Sequence, residues 1–160
     1  ALLRLDERLR THPVRTDVPP DLPLVAMDGL LVEQALVNLL ENAAKYSPDG
    51  APVDVAAGIE AGEIAITVSD RGTGVPPDEE ERIFEKFYRA KGQERVGGAG
   101  LGLTIVRAIA QAHGGRAWCD RRPGGGSVFR LALPLGGAPP ALPVEDDDAD
   151  PASARQPGSE

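Results

Sequence analysis

Gln34, Asn38, Glu41, Asn42 and Lys45 fall within about a quarter turn of one another when the segment that holds them is wound at about 3.6 residues per turn. Asparagine is a mediocre helix former, so two of them four residues apart, followed by a lysine, have no local conformational reason to be there. Neutral amide oxygens beside an ammonium suit a magnesium-bound polyphosphate; a solvated helix face is the plainer account of the same stripe. Asp70-Arg71-Gly72-Thr73-Gly74 follows an alternating apolar segment. It reads either as a simple turn or as a carboxylate that accepts a hydrogen bond from an exocyclic amine while glycines let a flat base approach the backbone. Gly97-Gly98-Ala99-Gly100-Leu101-Gly102-Leu103-Thr104 runs directly into a helical pattern. Free N–H groups and the positive end of a helix dipole favour phosphate there, and a flexible hinge is the alternative. The segment is neither a Walker loop, since no Gly-Lys-Ser/Thr follows, nor a dinucleotide fingerprint.

These clusters need elements to position them. Asp28 is a suitable N-cap for a helix over residues 29–46, with Leu36, Leu39, Leu40 and Ala43 as its apolar stripe and Ser47-Pro48-Asp49-Gly50 as its stop. Residues 53–59 and 64–68 alternate as a hairpin around Glu60-Ala61-Gly62. Residues 77–89 are a short helical candidate, and residues 103–112 form a helix ending at His113-Gly114-Gly115. Residues 116–121 and 127–133 are strands joined by Pro123-Gly124-Gly125-Gly126, and residues 14–18 make a short first strand before a brief extended Leu24-Val25-Ala26. The expected fold is α/β: a two-layer sandwich with a mixed sheet of about five strands and about three helices on one face. Residues 1–12 read as the end of a helix and linker, residues 13–135 as the domain, and residues 136–160 as a disordered acidic tail.

The chain has 160 residues and a formal charge of −8. Its tail after Leu135 has six acids against Arg155, so it carries −5 and the body −3. Arg121 and Arg122 are the only adjacent basic pair, which argues against a nucleic-acid partner. One cysteine and two isolated histidines offer no disulfide and no zinc cluster, and a reducing, cytoplasmic setting fits. No apolar run reaches the roughly 18 residues of a membrane span, so no direct membrane contact is expected. The start at Ala1 inside a helical pattern suggests a piece of a longer protein.

Four motifs in order resemble the catalytic, ATP-binding domain of bacterial sensor histidine kinases. They are the stretch from Glu33-Gln34 through Asn38-Leu39-Leu40-Glu41-Asn42 to Lys45-Tyr46-Ser47-Pro48, the Asp-x-Gly-x-Gly box at Asp70, the aromatic box Phe84-Glu85-Lys86-Phe87-Tyr88-Arg89, and the second glycine box. Val18-Pro19-Pro20-Asp21-Leu22-Pro23-Leu24-Val25 and the Arg122-Pro123-Gly124-Gly125-Gly126 region look like the potassium-responsive branch of that family. The resemblance implies the two-layer fold shared with gyrase, Hsp90 and MutL, with ATP and Mg2+ as cofactors. It implies that Asp70 holds the adenine amino group, that Gly72 and Gly74 shape the base pocket, and that Asn42 coordinates magnesium with Asn38 beside it. Lys45 and Tyr46 would contact phosphates or ribose. Phe84, Lys86, Phe87 and Arg89 would belong to a lid, and Gly98, Gly100, Leu101, Gly102, Leu103 and Thr104 would close the phosphate end.

Hydrolysing members of the superfamily place a glutamate base one turn before the magnesium-binding Asn, where this chain has Asn38. An amide cannot take a proton from water, so slow hydrolysis is expected, and Glu41 lies a different way around the helix. Catalysis would rest on positioning by Asn38 and Asn42 and on charge neutralisation by magnesium, Lys45 and lid bases such as Lys86 or Arg89. Neither His12, before Pro13, nor His113, before Gly114-Gly115, matches a phosphoacceptor; His12 reads as an element boundary and His113 as a cation at a helix C-terminus. Trp118 and Phe129 read as core. The implied partners are the dimerisation and phosphoacceptor helices of a parent kinase and, through it, a response regulator. The alternatives are a nucleotide-sensing module without phosphotransfer, and an ATPase or serine kinase of the same superfamily.

Overall fold

The computed structural model describes residues 9–91, 99–137, 139 and 140. Five strands make one sheet in the order β1-β2-β3-β5-β4, where β1 is Val14–Asp17, β2 Val53–Glu60, β3 Glu63–Ser69, β4 Arg116–Arg121 and β5 Ser127–Pro134. Only β1 and β2 are parallel; every other pair is antiparallel, as the two hairpins require. The helix between β1 and β2, α1 (Gly29–Tyr46), supplies the crossover that a parallel pair needs. The second helix, α2 (Gly102–Ala112), packs beside α1.

The core lies between these helices and one face of the sheet. Val32, Ala35, Leu39, Leu40 and Ala43 of α1 meet Val106, Ile109 and Ala110 of α2 and the inward residues Val53, Val68, Cys119, Phe129, Leu131 and Leu133 of the strands. Period-2 alternation puts Trp118 on the opposite, half-exposed face, where Arg130 is its cross-strand partner and Arg116 stacks over its ring at 5.0 Å. Phe129 is therefore core as expected, and Trp118 is not.

Two α-helices are present among the described residues, where about three were expected. Residues 77–89 are not an α-helix: they form turns and one 3-10 turn, Arg82–Phe84. Their acid-rich composition favours a helix locally, but Glu79 is wholly buried and its Oε2 accepts the Lys91 backbone N–H at 3.0 Å. That contact folds the segment back on itself, and Phe87 takes a left-handed φ of 64° that no helix accommodates.

Asp28 caps α1 by accepting the N–H groups of Leu30 and Leu31 at 2.9 and 3.1 Å. The backbone N–H of Asp28 in turn donates to Nε2 of the buried His113 at 3.0 Å, while His113 Nδ1 lies 2.8 Å from the Ile109 carbonyl oxygen. Nε2 must keep a lone pair to accept, so the proton is assigned to Nδ1 and the ring is neutral. The expected cation at the end of α2 is thus replaced by a neutral link between the two helices. His12 is buried at an element boundary, as expected, with Nδ1 3.1 Å from the Ala51 carbonyl oxygen. Residues 1–8 and 141–160, which include most of the expected terminal helix and tail, lie outside the described residues.

Candidate functional site

A cleft of about 600 Å³ opens between α1, the start of α2, the loop after β3 and residues 88–90. It brings together Asn38, Asn42, Lys45, Tyr46, Asp70, Gly74, Arg89, Gly100, Leu101, Gly102 and Leu103, all expected from sequence. The polar stripe of α1 faces it with Asn38, Glu41, Asn42 and Lys45, while Gln34 lies outside. The Lys45 ammonium sits 4.8 Å from the centre of the Tyr46 ring.

Asp70 directly follows β3 at one side of the cleft and is only 2% exposed. Its Oδ1 accepts the N–H of Gly72 at 2.8 Å and that of Ser127 at 3.2 Å, leaving Oδ2 as the oxygen not used by these bonds. Burial pushes the carboxyl above the ordinary carboxylate value of 3.8, and the two N–H donors and the Arg122 charge oppose that rise. Gly72 does not line the cleft; it lets the loop pass so close to α1 that a Cβ there would overlap the Tyr46 carbonyl oxygen. A buried acceptor beside a flat, glycine-lined loop suits an exocyclic amine of a base.

The opposite side has a different character. The N-cap of α2, Leu101, offers no side-chain oxygen, so the first-turn amides at Gly102 and Leu103 face the cleft without a side-chain cap. Asn38 packs 3.7 Å from where a Gly102 Cβ would lie. Its Nδ2 and the Thr104 hydroxyl are buried without a hydrogen-bond partner. Amide oxygens at Asn38 and Asn42, the Glu41 carboxylate and the Lys45 ammonium together make a set of hard donors and one cation suited to a phosphate-bound divalent ion. Among the described residues no group of three His, Cys, Asp or Glu side chains could hold a metal unaided, so phosphate oxygens would have to complete the shell.

Besides Gly72, four described residues expected at the site do not line the cleft. Phe84 is 2% exposed in the core with the Arg107 guanidinium 4.5 Å over its ring, which makes it a packing residue at the root of the segment rather than a cover. Lys86 and Phe87 are exposed and outside the cleft, although the Phe87 N–H donates to the Gly100 carbonyl at 3.1 Å. Thr104 lies in the first turn of α2 without lining the cleft, and Gly98 lies outside the described residues. Sequence reasoning assigned no site role to Val75, Ile83, Tyr88, Ile105, Ser127 and Phe129, which also line the cleft. Most are apolar and read as ordinary core; the position of Ser127 at the exit of a glycine turn was the one available signal.

A family model described as "Histidine kinase-, DNA gyrase B-, and HSP90-like ATPase" matches residues 27–137. The solved structure of the mycobacterial sensor histidine kinase MprB is 34% identical, with a TM-score of 0.73 over 86% of this chain and 90% of that one. The chain belongs to this family, as an ATP-binding domain of the sensor histidine kinase type. The domain is also 42% identical over 86% of its length to the sensor protein KdpD of Escherichia coli, and 43% over 90% to the sensor-like histidine kinase SenX3 of Mycobacterium tuberculosis. It spans 15% and 34% of those two proteins. Full-length ShkA, solved in complex with AMPPNP, is 31% identical with a TM-score of 0.72 over 85% of this domain and 28% of that chain. No helix among the described residues of the domain is long and apolar enough to cross a membrane.

Proposed function

We propose that this domain binds MgATP in the cleft and donates the γ-phosphoryl group to a histidine on the dimerisation helices of a parent sensor kinase, which then passes it to a response regulator. The single observation that carries the reading is the pairing, in one cleft, of a buried acceptor at Asp70 with the Asn38, Asn42 and Lys45 stripe and the open amides of α2. Asp70 Oδ2 would accept the adenine amino group. Asn42, with Asn38 beside it, would hold the Mg2+, which supplies charge neutralisation on the phosphates. Lys45 and the first-turn amides of α2 would fix the phosphate oxygens, and Arg89 would lie at the rim. A complex of the relative ShkA with AMPPNP supports a nucleotide here.

Asn38 stands where a hydrolytic member would carry its general base, so these residues hold the terminal phosphate for an external nucleophile instead of activating water. Neither histidine of the chain serves as that nucleophile: His12 and His113 are both buried in backbone hydrogen bonds and neither lines the cleft. A cytoplasmic face of a membrane-anchored, KdpD-like parent is the setting we assign. Mixing the chain with the helical hairpin of that parent and γ-labelled ATP tests the proposal. Label should reach the hairpin histidine with the intact chain and not with Asn42→Ala. Retention of all label as bound ATP would leave a nucleotide-sensing module, and release of phosphate without the hairpin would favour an ATPase.

A further inference from the structure

Asp70 is held from behind by residues far from it in sequence. Arg122, in the β4–β5 hairpin, is largely buried and spans two partners: its Nη1 donates to the Asp70 backbone carbonyl at 3.1 Å, and its Nη2 reaches Asp54 Oδ2 on β2 at 2.6 Å. The hairpin also supplies two hydrogen bonds to Asp70 from the Ser127 backbone. The Asp70 N–H donates to the Ser127 carbonyl at 2.9 Å, and the Ser127 N–H donates to Asp70 Oδ1. Gly126 lies so tightly beneath that a Cβ would overlap the Asp70 carbonyl oxygen. The Arg122 N–H closes the turn on the Gly126 carbonyl at 3.1 Å. A guanidinium presents donors in a fixed fork, which suits one grip on a carbonyl and another on a carboxylate.

We propose that Arg122 is a positioning residue for nucleotide binding: anchored by Asp54, its guanidinium grips the Asp70 backbone and holds the base-recognising carboxylate in register with the cleft. The proposal rests on the nucleotide reading above and adds to it a residue on the outer side of the sheet that never touches ligand. Arg122 is the favourable charge facing Asp70 from the hairpin. Asp54, with Arg71 3.9 Å from it, stands behind. The Cys119 thiol on β4, pushed up to about 12 chiefly by burial, stays uncharged, and Glu41, Lys45 and Arg89 line the cleft in front. Loss of the Arg122 charge therefore makes Asp70 protonate at a higher pH, and loss of the Asp54 carboxylate, which anchors Arg122, loosens the same grip and acts in the same direction.

The test is calorimetric titration of the whole chain with MgATP from pH about 5 to 8. Arg122→Gln should weaken binding about tenfold at neutral pH and move the acid-side loss of affinity toward neutrality. Asp54→Asn should move that loss the same way by a smaller amount, and Arg122→Lys should restore its position more than it restores affinity. Wild-type affinity and pH profile in Arg122→Gln, or a shift of the two variants in opposite directions, overturns the proposal. Where Arg122→Gln does not fold, by its melting curve, the direction of the Asp54→Asn shift decides. Failure of the intact chain to bind MgATP, or full affinity in Asp70→Asn, overturns the nucleotide reading and this proposal with it; intact Asp70 dependence with an indifferent Arg122 overturns this proposal alone.

Discussion

The two ends of the cleft are built on opposite plans. At the Asp70 end nearly every polar group is already engaged: Oδ1 takes two N–H donors, the backbone pairs with Ser127, and Arg122 holds the carbonyl from behind. At the α2 end the Asn38 amide nitrogen and the Thr104 hydroxyl are buried without partners, and the helix start has no side-chain cap. A saturated site is pre-organised and loses little freedom on binding; an unsaturated one carries a desolvation cost in the free protein that a ligand can relieve. On the nucleotide reading, the difference teaches that one end is set in advance for its ligand and the other gains hydrogen-bond partners when phosphate arrives.

The comparison can be broken most directly at the engaged end. Asp70→Asn should reduce ATP affinity by about two orders of magnitude, the equivalent of about 3 kcal/mol for one charge-assisted bond, as read by calorimetry. Gly126→Ala should lower stability by about 3 kcal/mol in chemical denaturation, because the new Cβ meets the Asp70 carbonyl and φ is +98°. Gly124→Ala, in open space at φ +87°, should cost only about 1 kcal/mol and leave binding intact. At the unsaturated end, Asn38→Ala should weaken ATP about tenfold while leaving adenosine affinity and the melting temperature nearly unchanged, since its unpaired amide stabilises nothing in the free domain.

The smallest expected effect is a pH dependence of several-fold. The folded-state value for Asp70 is raised above 3.8, so its protonated form persists into a pH range where an ordinary carboxylate is ionised. Protonation removes the acceptor, so adenine-dependent affinity falls as pH drops through that window and binding releases protons. The fold has the opposite preference: this group's contribution to stability is greatest below 3.8 and declines as pH rises through the raised value. Binding enthalpy measured in buffers of different ionisation enthalpy checks the proton release; an uptake of protons would contradict the sign.

The sequence revealed most of this architecture because apolar periodicity specifies it. The bounds of α1 follow from its cap and its Ser-Pro stop, and the strands from alternation around glycine turns. What it concealed is long-range. Residues 77–89 have helix-favouring acids, but the burial of Glu79 against Lys91 overrides local preference. His113 has the right place for a terminal cation, yet the amide of Asp28, 85 positions away, requires a neutral ring. The site residues with polar side chains were legible from type and spacing; Val75, Ile83 and Phe129 were hidden because a binding wall and a core use the same side chains. Arg122 gave no sign beyond its adjacency to a glycine turn.

The link between His113 and Asp28 joins the far ends of the two helices whose near parts face the cleft. Measured along α2 from that pin, the glycine start of the helix lies about 16 Å away. That pin also fixes where the chain enters α1 relative to the end of α2, although the two residues stand 85 positions apart.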